Sequence, residues 1–352
     1  MAGVDLRDLS FDQLVALLTG WGEPAFRAKQ IWRWAWGRLA EEFEEMTDLP
    51  RPLRDRLAAD LRLDGMVAVG DQSDADEGTH KVLLELADGR RVEAVLIRDG
   101  GRRTVCVSSQ VGCPVGCPFC ATGRMGFQRD LSPGEIAGQV IHFARRLRSA
   151  GERVTHVVVM GMGEPLLNYG ATVCAVRNLN RRPGFGLGAR RFTVSTVGVA
   201  PGMRRLAQEG LQVNLAVSLH APDDELRRRL VPLDCRWPLP QVLAAADAYA
   251  QATGRRVTYE YVLLAGVNDA PGQARALGRL LRGRLAHVNL IPFNPAPGLP
   301  FAAPALERVE QFRLEVLRSG VDATVRRSSG VRIGAGCGQL GAGAGPLPGS
   351  IG

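Results

Sequence analysis

An open, partial α/β barrel is the fold that this 352-residue sequence predicts, and three features predict it. Strand-like and helix-like stretches alternate from about residue 101 to about residue 330, which argues for a parallel sheet with right-handed crossovers. About six such units fit in that span, too few for a closed eight-stranded barrel. Hydrophobic residues make up 45% of the chain and charged residues 23%, enough apolar surface to fill a core and too little charge to keep the chain unfolded.

The elements follow in order along the chain. Residues 10–61 carry apolar positions at helical spacing: Phe11, Leu14 and Leu18, then Phe26, Ile31, Trp32 and Trp36, then Leu53, Leu57 and Leu61. They read as a small helical domain over residues 1–65, with Pro24 in the first turn of its second helix and Pro50 and Pro52 opening the third. Trp32 and Trp36 lie one turn apart and are expected in the core rather than as a base-stacking platform. Residues 66–100 form a hairpin segment, in which Lys81 to Leu86 and Arg91 to Ile97 are joined through the turn pair Asp88-Gly89. The barrel occupies residues 101–330, with strands expected near 105–109, 154–161, 191–196, 213–219, 257–264, 287–293 and 323–327. Residues 132–148, 223–229, 238–252 and 303–318 read as helices between them. The segment 331–352 is rich in glycine and is expected to be irregular.

The net charge of +8 permits a polyanionic partner, because excess positive charge concentrates phosphate ligands. Only Lys29 and Lys81 are lysines, so a compositional bias toward arginine would give the same total. The apolar run Val157 to Met162 is far shorter than the roughly 20 residues that span a bilayer, and a cytoplasmic protein without a membrane segment is expected. Cysteines in a reducing compartment point to metal or catalysis rather than to disulfides. Four of the seven fall between Cys106 and Cys120, whereas Cys174 and Cys235 lack such company and are expected to pack.

Cys113, Cys117 and Cys120 are spaced by four and three residues, close enough for a tight loop to wrap three corners of an iron-sulfur cube. A zinc knuckle would ask for a second ligand pair, and none is evident downstream. Further chemistry-bearing residues stand where strands end: Gly163 and Glu164 in one loop, Ser195 in the next, then Ser218 and His220, then Asn294. Carboxyl ends of barrel strands are where such folds concentrate their sites. Glu164 can accept from an ammonium, and Gly163 lets backbone approach closely.

At this point the sequence resembles the radical S-adenosylmethionine superfamily, whose signature is this three-cysteine spacing, and within it the RlmN family and its relative Cfr. The resemblance runs through Cys106 to Cys113 (CVSSQVGC), Met160 to Asn168 (MGMGEPLLN), Asn289 to Pro295 (NLIPFNP), Gly336 to Leu340 (GCGQL) and Phe26 to Trp32 (FRAKQIW). It implies a partial (β/α)6 TIM-like barrel, one 4Fe-4S cluster on Cys113, Cys117 and Cys120, and S-adenosylmethionine used twice per turnover. Cofactor contacts fall by resemblance on Gly163, Glu164, Ser195, Ser218, Leu219, His220 and Asn294.

The implied reaction is methylation of adenine carbon 2 in 23S ribosomal RNA, with transfer RNA as a further substrate. Cys337 would carry the methyl group, Cys106 would form a transient disulfide with it, and Glu93 would accept the ring proton. A flavodoxin-type reductant and a monomeric enzyme are implied. Arg190 and Arg191, ahead of the strand that leads to Ser195, are candidates for phosphate contact. Carbon 8, the Cfr position, stays open at this stage, as does a radical enzyme acting on a small metabolite. Gly334 to Gly336 stand where bulkier residues are expected, which leaves the stiffness of the Cys337 loop in question.

Overall fold

The computed structural model describes residues 4–63, 65–326 and 328–341. The side chain of Cys235, expected to pack, lies outside the described part, as do residues 342–352 of the glycine-rich tail.

The N-terminal unit holds three helices, α1 (Phe11–Gly20), α2 (Phe26–Trp32) and α3 (Arg51–Asp60). A reciprocal capping box starts α1: the Gln13 backbone N–H donates to Ser10 Oγ at 3.2 Å, and the Ser10 N–H donates to Gln13 Oε1 at 2.8 Å. Pro24 lies just ahead of α2, whose N-cap is Ala25, so it precedes the helix rather than forming its first turn. A π-helical turn extends α2 through Arg33–Arg38 and stops where Leu39 turns left-handed at φ 58°. Trp32 and Trp36 are fully buried, as the periodicity predicts, and stack at 5.1 Å between ring centroids. Phe11 meets Trp32 edge-on at 5.4 Å.

One ten-stranded sheet organises the rest, and its strands lie side by side in chain order. Strands β1 (Met66–Asp74), β2 (Thr79–Leu86), β3 (Arg91–Asp99) and β4 (Arg102–Cys106) pair antiparallel. From β4 the ladder turns parallel through β5 (His156–Val159), β6 (Phe192–Thr196), β7 (Asn214–Ser218), β8 (Val257–Leu263), β9 (Ala286–Pro292) and β10 (Asp322–Val325). Among the described residues β10 does not return to pair with β4, so the parallel part is an open, incomplete barrel.

Helix α4 (Pro133–Ser149) follows β4, α5 (Tyr169–Asn180) follows β5 and α6 (Ala200–Gln208) follows β6. Beyond β7 come α7 (Asp224–Leu230) and α8 (Leu239–Thr253), then α9 (Pro271–Leu281) after β8 and α10 (Leu306–Arg318) after β9. The sequence reading omitted α5, α6, α9 and β1. Helices α6 and α9 open with Pro201-Gly202 and Pro271-Gly272, pairs that look like turns but here sit in the first helical turn, where proline has no N–H to lose. Strand β1 is mostly exposed and has little apolar alternation to betray it. The strand expected at 105–109 lies three residues earlier, because Ser108 and Ser109 turn from the ladder to the site loops, where their N–H groups donate to Gln139 Oε1 at 2.7 Å and Met162 O at 2.8 Å.

The helical unit docks on α4 and α5. Arg145 donates to the carbonyls of Leu39 at 3.1 Å and Ala40 at 2.9 Å, Gly134 N–H donates to Asp8 Oδ1 at 2.8 Å, and Asn178 Nδ2 donates to Leu9 O at 3.0 Å. Trp32→Ala is expected to lower the unfolding free energy by about 3–5 kcal/mol, the usual cost of emptying a buried tryptophan site, measured by urea denaturation followed by circular dichroism.

Candidate active site

The site is assembled at the carboxyl ends of the parallel strands. The cysteine loop leaves the short strand Gln110–Gly112, which pairs antiparallel with Phe127–Asp130. At Gly112 φ is 73°, and a Cβ would lie 1.8 Å from the Gly126 carbonyl oxygen, so only glycine fits. Cys113 N–H donates to that carbonyl at 3.0 Å, and Cys120 N–H donates to Cys117 O at 3.1 Å. A Cβ on Gly123 would meet the Cys117 backbone at 2.7 Å, so the loop folds closely over itself.

The three loop cysteines are free thiols. Burial pushes Cys113 up to about 12, while the Val115 and Gly116 backbone N–H groups oppose the shift by donating to its sulfur. Burial likewise raises Cys117, which the other two thiols raise further and Arg227 opposes. Cys120 is raised by burial and opposed by the N–H groups of Gly123 and Thr122. Three mutually repelling thiols with backbone N–H groups aimed at two of the sulfurs are suited to a positively charged centre that takes them as thiolates. Among the described residues no three side chains form a group for a single metal ion.

Beside the loop lies a cavity of about 160 Å³ lined by Gly163, Glu164, Ser195, Ser218 and His220, together with Phe119, Cys120 and Cys337. Gly163 has φ 102°, and a Cβ there would come within 2.6 Å of Gln110. Glu164 is buried; Oε1 accepts from Leu166 N–H at 3.0 Å and Oε2 from Val197 N–H at 2.7 Å. Burial nevertheless lifts its carboxyl to about 7, so the site favours a cation that would hold it ionised. His220 has φ 59°; its Nδ1 accepts from Val262 N–H at 3.0 Å and its ring meets Phe119 edge-on. Burial carries His220 down to about 3, which keeps it neutral.

Two of the residues expected at the cofactor, Leu219 and Asn294, have other partners here. Leu219 is wholly buried, with its side chain in the main core and its N–H donating to Glu260 O at 2.9 Å. Asn294 does not line this cavity; its Nδ2 donates to the Cys337 carbonyl at 3.1 Å and so holds the C-terminal loop.

That loop is fixed at many points despite its glycines. Gly336 N–H donates to Gln339 Oε1 at 2.9 Å, and a Cβ on Gly336 would lie 2.8 Å from that oxygen and 2.9 Å from Asn294 Nδ2, so a bulkier residue would require these side chains to shift. Ala121 N–H donates to Gly338 O at 2.8 Å, and Thr122 Oγ1 donates to Leu340 O at 2.6 Å. Arg332 bridges Asp74 and Asp76 on the β1–β2 turn, and Lys81 Nζ donates to Gly334 O at 3.3 Å. Buried Glu93 pairs with Lys81 at 3.0 Å and accepts from Gly341 N–H at 2.6 Å. The hairpin thus meets the Cys337 loop along its length.

Cys337 opens both onto this cavity and onto a larger one of about 1,340 Å³ that fills the barrel lumen. Cys106, at the end of β4, is half-buried on the lumen; burial pushes its thiol up to about 12, Cys337 raises it further and Arg326 opposes. Arg326 and Glu260 were missed in the sequence. Arg326 directly follows β10, and its charge is reinforced first by Cys337, then by Glu260 and Cys106. Glu260 alternates with Thr258 along β8 on the lumen side, a polar pattern that would have disclosed it. Arg227, also missed, is buried and donates to Leu219 O at 3.2 Å; burial holds it down to about 10. Cys174, expected to pack, is half-buried and accepts from Asn178 Nδ2 at 3.7 Å.

Residues 107–274 match the Radical SAM superfamily, and residues 4–63 match the ribosomal RNA large subunit methyltransferase N-terminal domain. The chain is 50% identical over 337 residues to a protein of Symbiobacterium thermophilum named "Probable dual-specificity RNA methyltransferase RlmN", covering 95% of this chain and 90% of that one. It is 49% identical over 347 residues to the "Dual-specificity RNA methyltransferase RlmN" of Anaeromyxobacter dehalogenans, covering 97% and 93%. The crystal structure of a radical SAM methyltransferase from Sphaerobacter thermophilus superposes with a TM-score of 0.94 at 50% identity, covering 97% of this chain and all of that one.

The raised carboxyl of Glu164 has a measurable sign. A group whose folded pKa lies above its unfolded value favours the fold below the unfolded value and loses that contribution as pH rises. In cluster-free protein, thermal stability is expected to decline between pH 4.5 and 7 through this residue. The corresponding component should vanish in Glu164→Gln, as read from melting temperatures across that range.

Proposed function

Because the chain belongs to the RlmN family of radical S-adenosylmethionine RNA methyltransferases, we propose that it methylates carbon 2 of an adenine in 23S ribosomal RNA and of an adenine in transfer RNA, acting as a monomer reduced by a flavodoxin-type protein. The observation that carries this reading is the convergence of Cys337 with Cys106 at the boundary between the cavity of Glu164 and the lumen. An enzyme acting only on its cofactor and a small metabolite has no use for a second thiol pair outside the cluster loop.

In this reading Cys113, Cys117 and Cys120 hold one 4Fe-4S cluster. Glu164 takes the cofactor's ammonium, with Gly163, Ser195, Ser218 and His220 around the remainder, Leu219 contributing backbone, and Asn294 reaching the cofactor from its place under the Cys337 loop. When bound, cluster and cofactor would supply the methyl group, the one-electron chemistry that opens the carbon–hydrogen bond of the methylated thiol, and the acceptor for the unpaired electron that the adduct gives up once the carbon has joined the ring.

The residues of the chain do the rest. Carbon 2 of adenine is electron-poor and does not displace a methyl group from a sulfonium, so the methyl is first taken by the Cys337 sulfur, a nucleophile able to do so. After the methylene carbon has joined the ring, Glu93 accepts the ring proton. Cys106 then bonds to the Cys337 sulfur as the sulfur–methylene bond breaks, and the freed carbon takes up a proton to become the product methyl. Arg326 stabilises the Cys106 thiolate that this attack requires, against a burial that otherwise favours the thiol.

Cys337→Ala is expected to retain the cluster's visible absorbance, to acquire no methyl label and to form no RNA adduct. Cys106→Ala should label Cys337 and then stall as a covalent protein–RNA adduct, seen on a denaturing gel and collapsed by nuclease. Normal turnover by Cys106→Ala would overturn the role given to it. Nuclease digests of modified ribosomal RNA should contain 2-methyladenine and not 8-methyladenine by mass spectrometry against both standards.

A further inference from the structure

Away from this site, a cleft of about 550 Å³ lies between the N-terminal unit and the barrel. Arg102, Arg153 and Arg182 line it, are exposed, and have no carboxylate partner among the described residues. The acid in its wall, Glu152, is already taken by Arg98 at 3.3 Å and Arg103 at 2.5 Å. Trp36 also belongs to the wall, and its buried indole N–H has no partner. Unpaired guanidinium groups ahead of a donor in a concave surface match the oxygens of a phosphodiester chain.

Two residues connect this cleft to the active site: Arg102 and His156 line both the cleft and the lumen. Each begins a parallel strand, β4 and β5, so the two spaces meet at the amino ends of the sheet. The carboxyl ends are occupied by the cysteine loop and the Cys337 loop, joined through Ala121 to Gly338 and Thr122 to Leu340. From Arg102 to Cys106 along β4 is roughly 13 Å at about 3.3 Å per residue, too deep for a base that stays stacked in a helix. We propose that the cleft binds the phosphate backbone of the substrate RNA and that one nucleotide is extruded past Arg102 and His156 into the lumen, toward Cys106 and Cys337. The proposal rests on the RNA-methyltransferase reading above and adds the route by which the adenine arrives.

The test compares two triple variants of the reconstituted holoenzyme that lose the same charge. One is Arg102→Gln, Arg153→Gln, Arg182→Gln; the other is Arg204→Gln, Arg279→Gln, Arg308→Gln, all exposed on outer helices. The cluster's visible absorbance reports that each is folded. Binding to a ribosomal RNA fragment that wild type methylates is measured by fluorescence anisotropy from 50 to 200 mM salt. Each phosphate contact contributes roughly 0.7–0.9 to the slope of log affinity against log salt. The cleft variant is therefore expected to bind at least about tenfold more weakly, with a slope shallower by about two, and to raise KM more than it lowers kcat. The outer variant should bind within about twofold of wild type. Equal losses in both variants, or none in either, would overturn the route. A wild type that yields no methyladenine would instead remove the RNA reading on which the route depends.

Discussion

Seven parallel strands that do not close leave an interior that cannot become a dry core. Thr104, Thr193, Thr258, Glu260 and Asn289 face inward along them, and the lumen they line holds about 1,340 Å³. Polar groups placed inside a protein must find partners, and an open interior of this kind supplies them through ligands, solvent or other parts of the chain. The surrounding architecture follows from that requirement. The hairpin continues the sheet beyond β4, the cysteine loop covers one end, and the last described residues reach back to meet both.

Charge inside the site is arranged with the same economy. Arg227 and Arg326 are deeply set guanidinium groups near thiols, one on the side of Cys117 and the other between Cys106, Cys337 and Glu260. A buried arginine keeps its proton where a lysine readily sheds one, so it provides a fixed positive field in a place where thiolates must form. Glu164 is the complementary case: burial raises its carboxyl to about 7 against the two backbone donors that oppose the shift, so a neighbouring positive charge would favour its ionised form.

Much of this was legible in the sequence. Cysteine spacing located the loop that gathers three thiols because a short spacing keeps them together, and alternating strand and helix patterns located the parallel sheet because burial repeats regularly. Tryptophans at helical spacing marked the N-terminal core for the same reason. Features that depend on distant residues were not legible. Asn294 stood in the right motif, yet its amide holds the Cys337 carbonyl, a partner 43 residues away. Glycines that suggested a slack terminal loop belong to a segment held by hydrogen bonds to distant residues, which only the packed neighbours disclose. Arg326 was overlooked because a single charged residue beyond a strand end has no local signature, and Glu260 because its polar alternation with Thr258 is short within an otherwise apolar strand.

The anchors of the Cys337 loop come from far upstream: Lys81, Thr122, Asp74 and Glu93 lie 253, 218, 258 and 248 residues from their partners in it. A polypeptide made from its amino end completes these anchors long before the loop leaves the ribosome. The Cys337 loop thus follows its anchors in synthesis, and it meets a receptor that is already built. Cys106 and Cys337 are thereby kept apart until the fold around the lumen that both line is assembled.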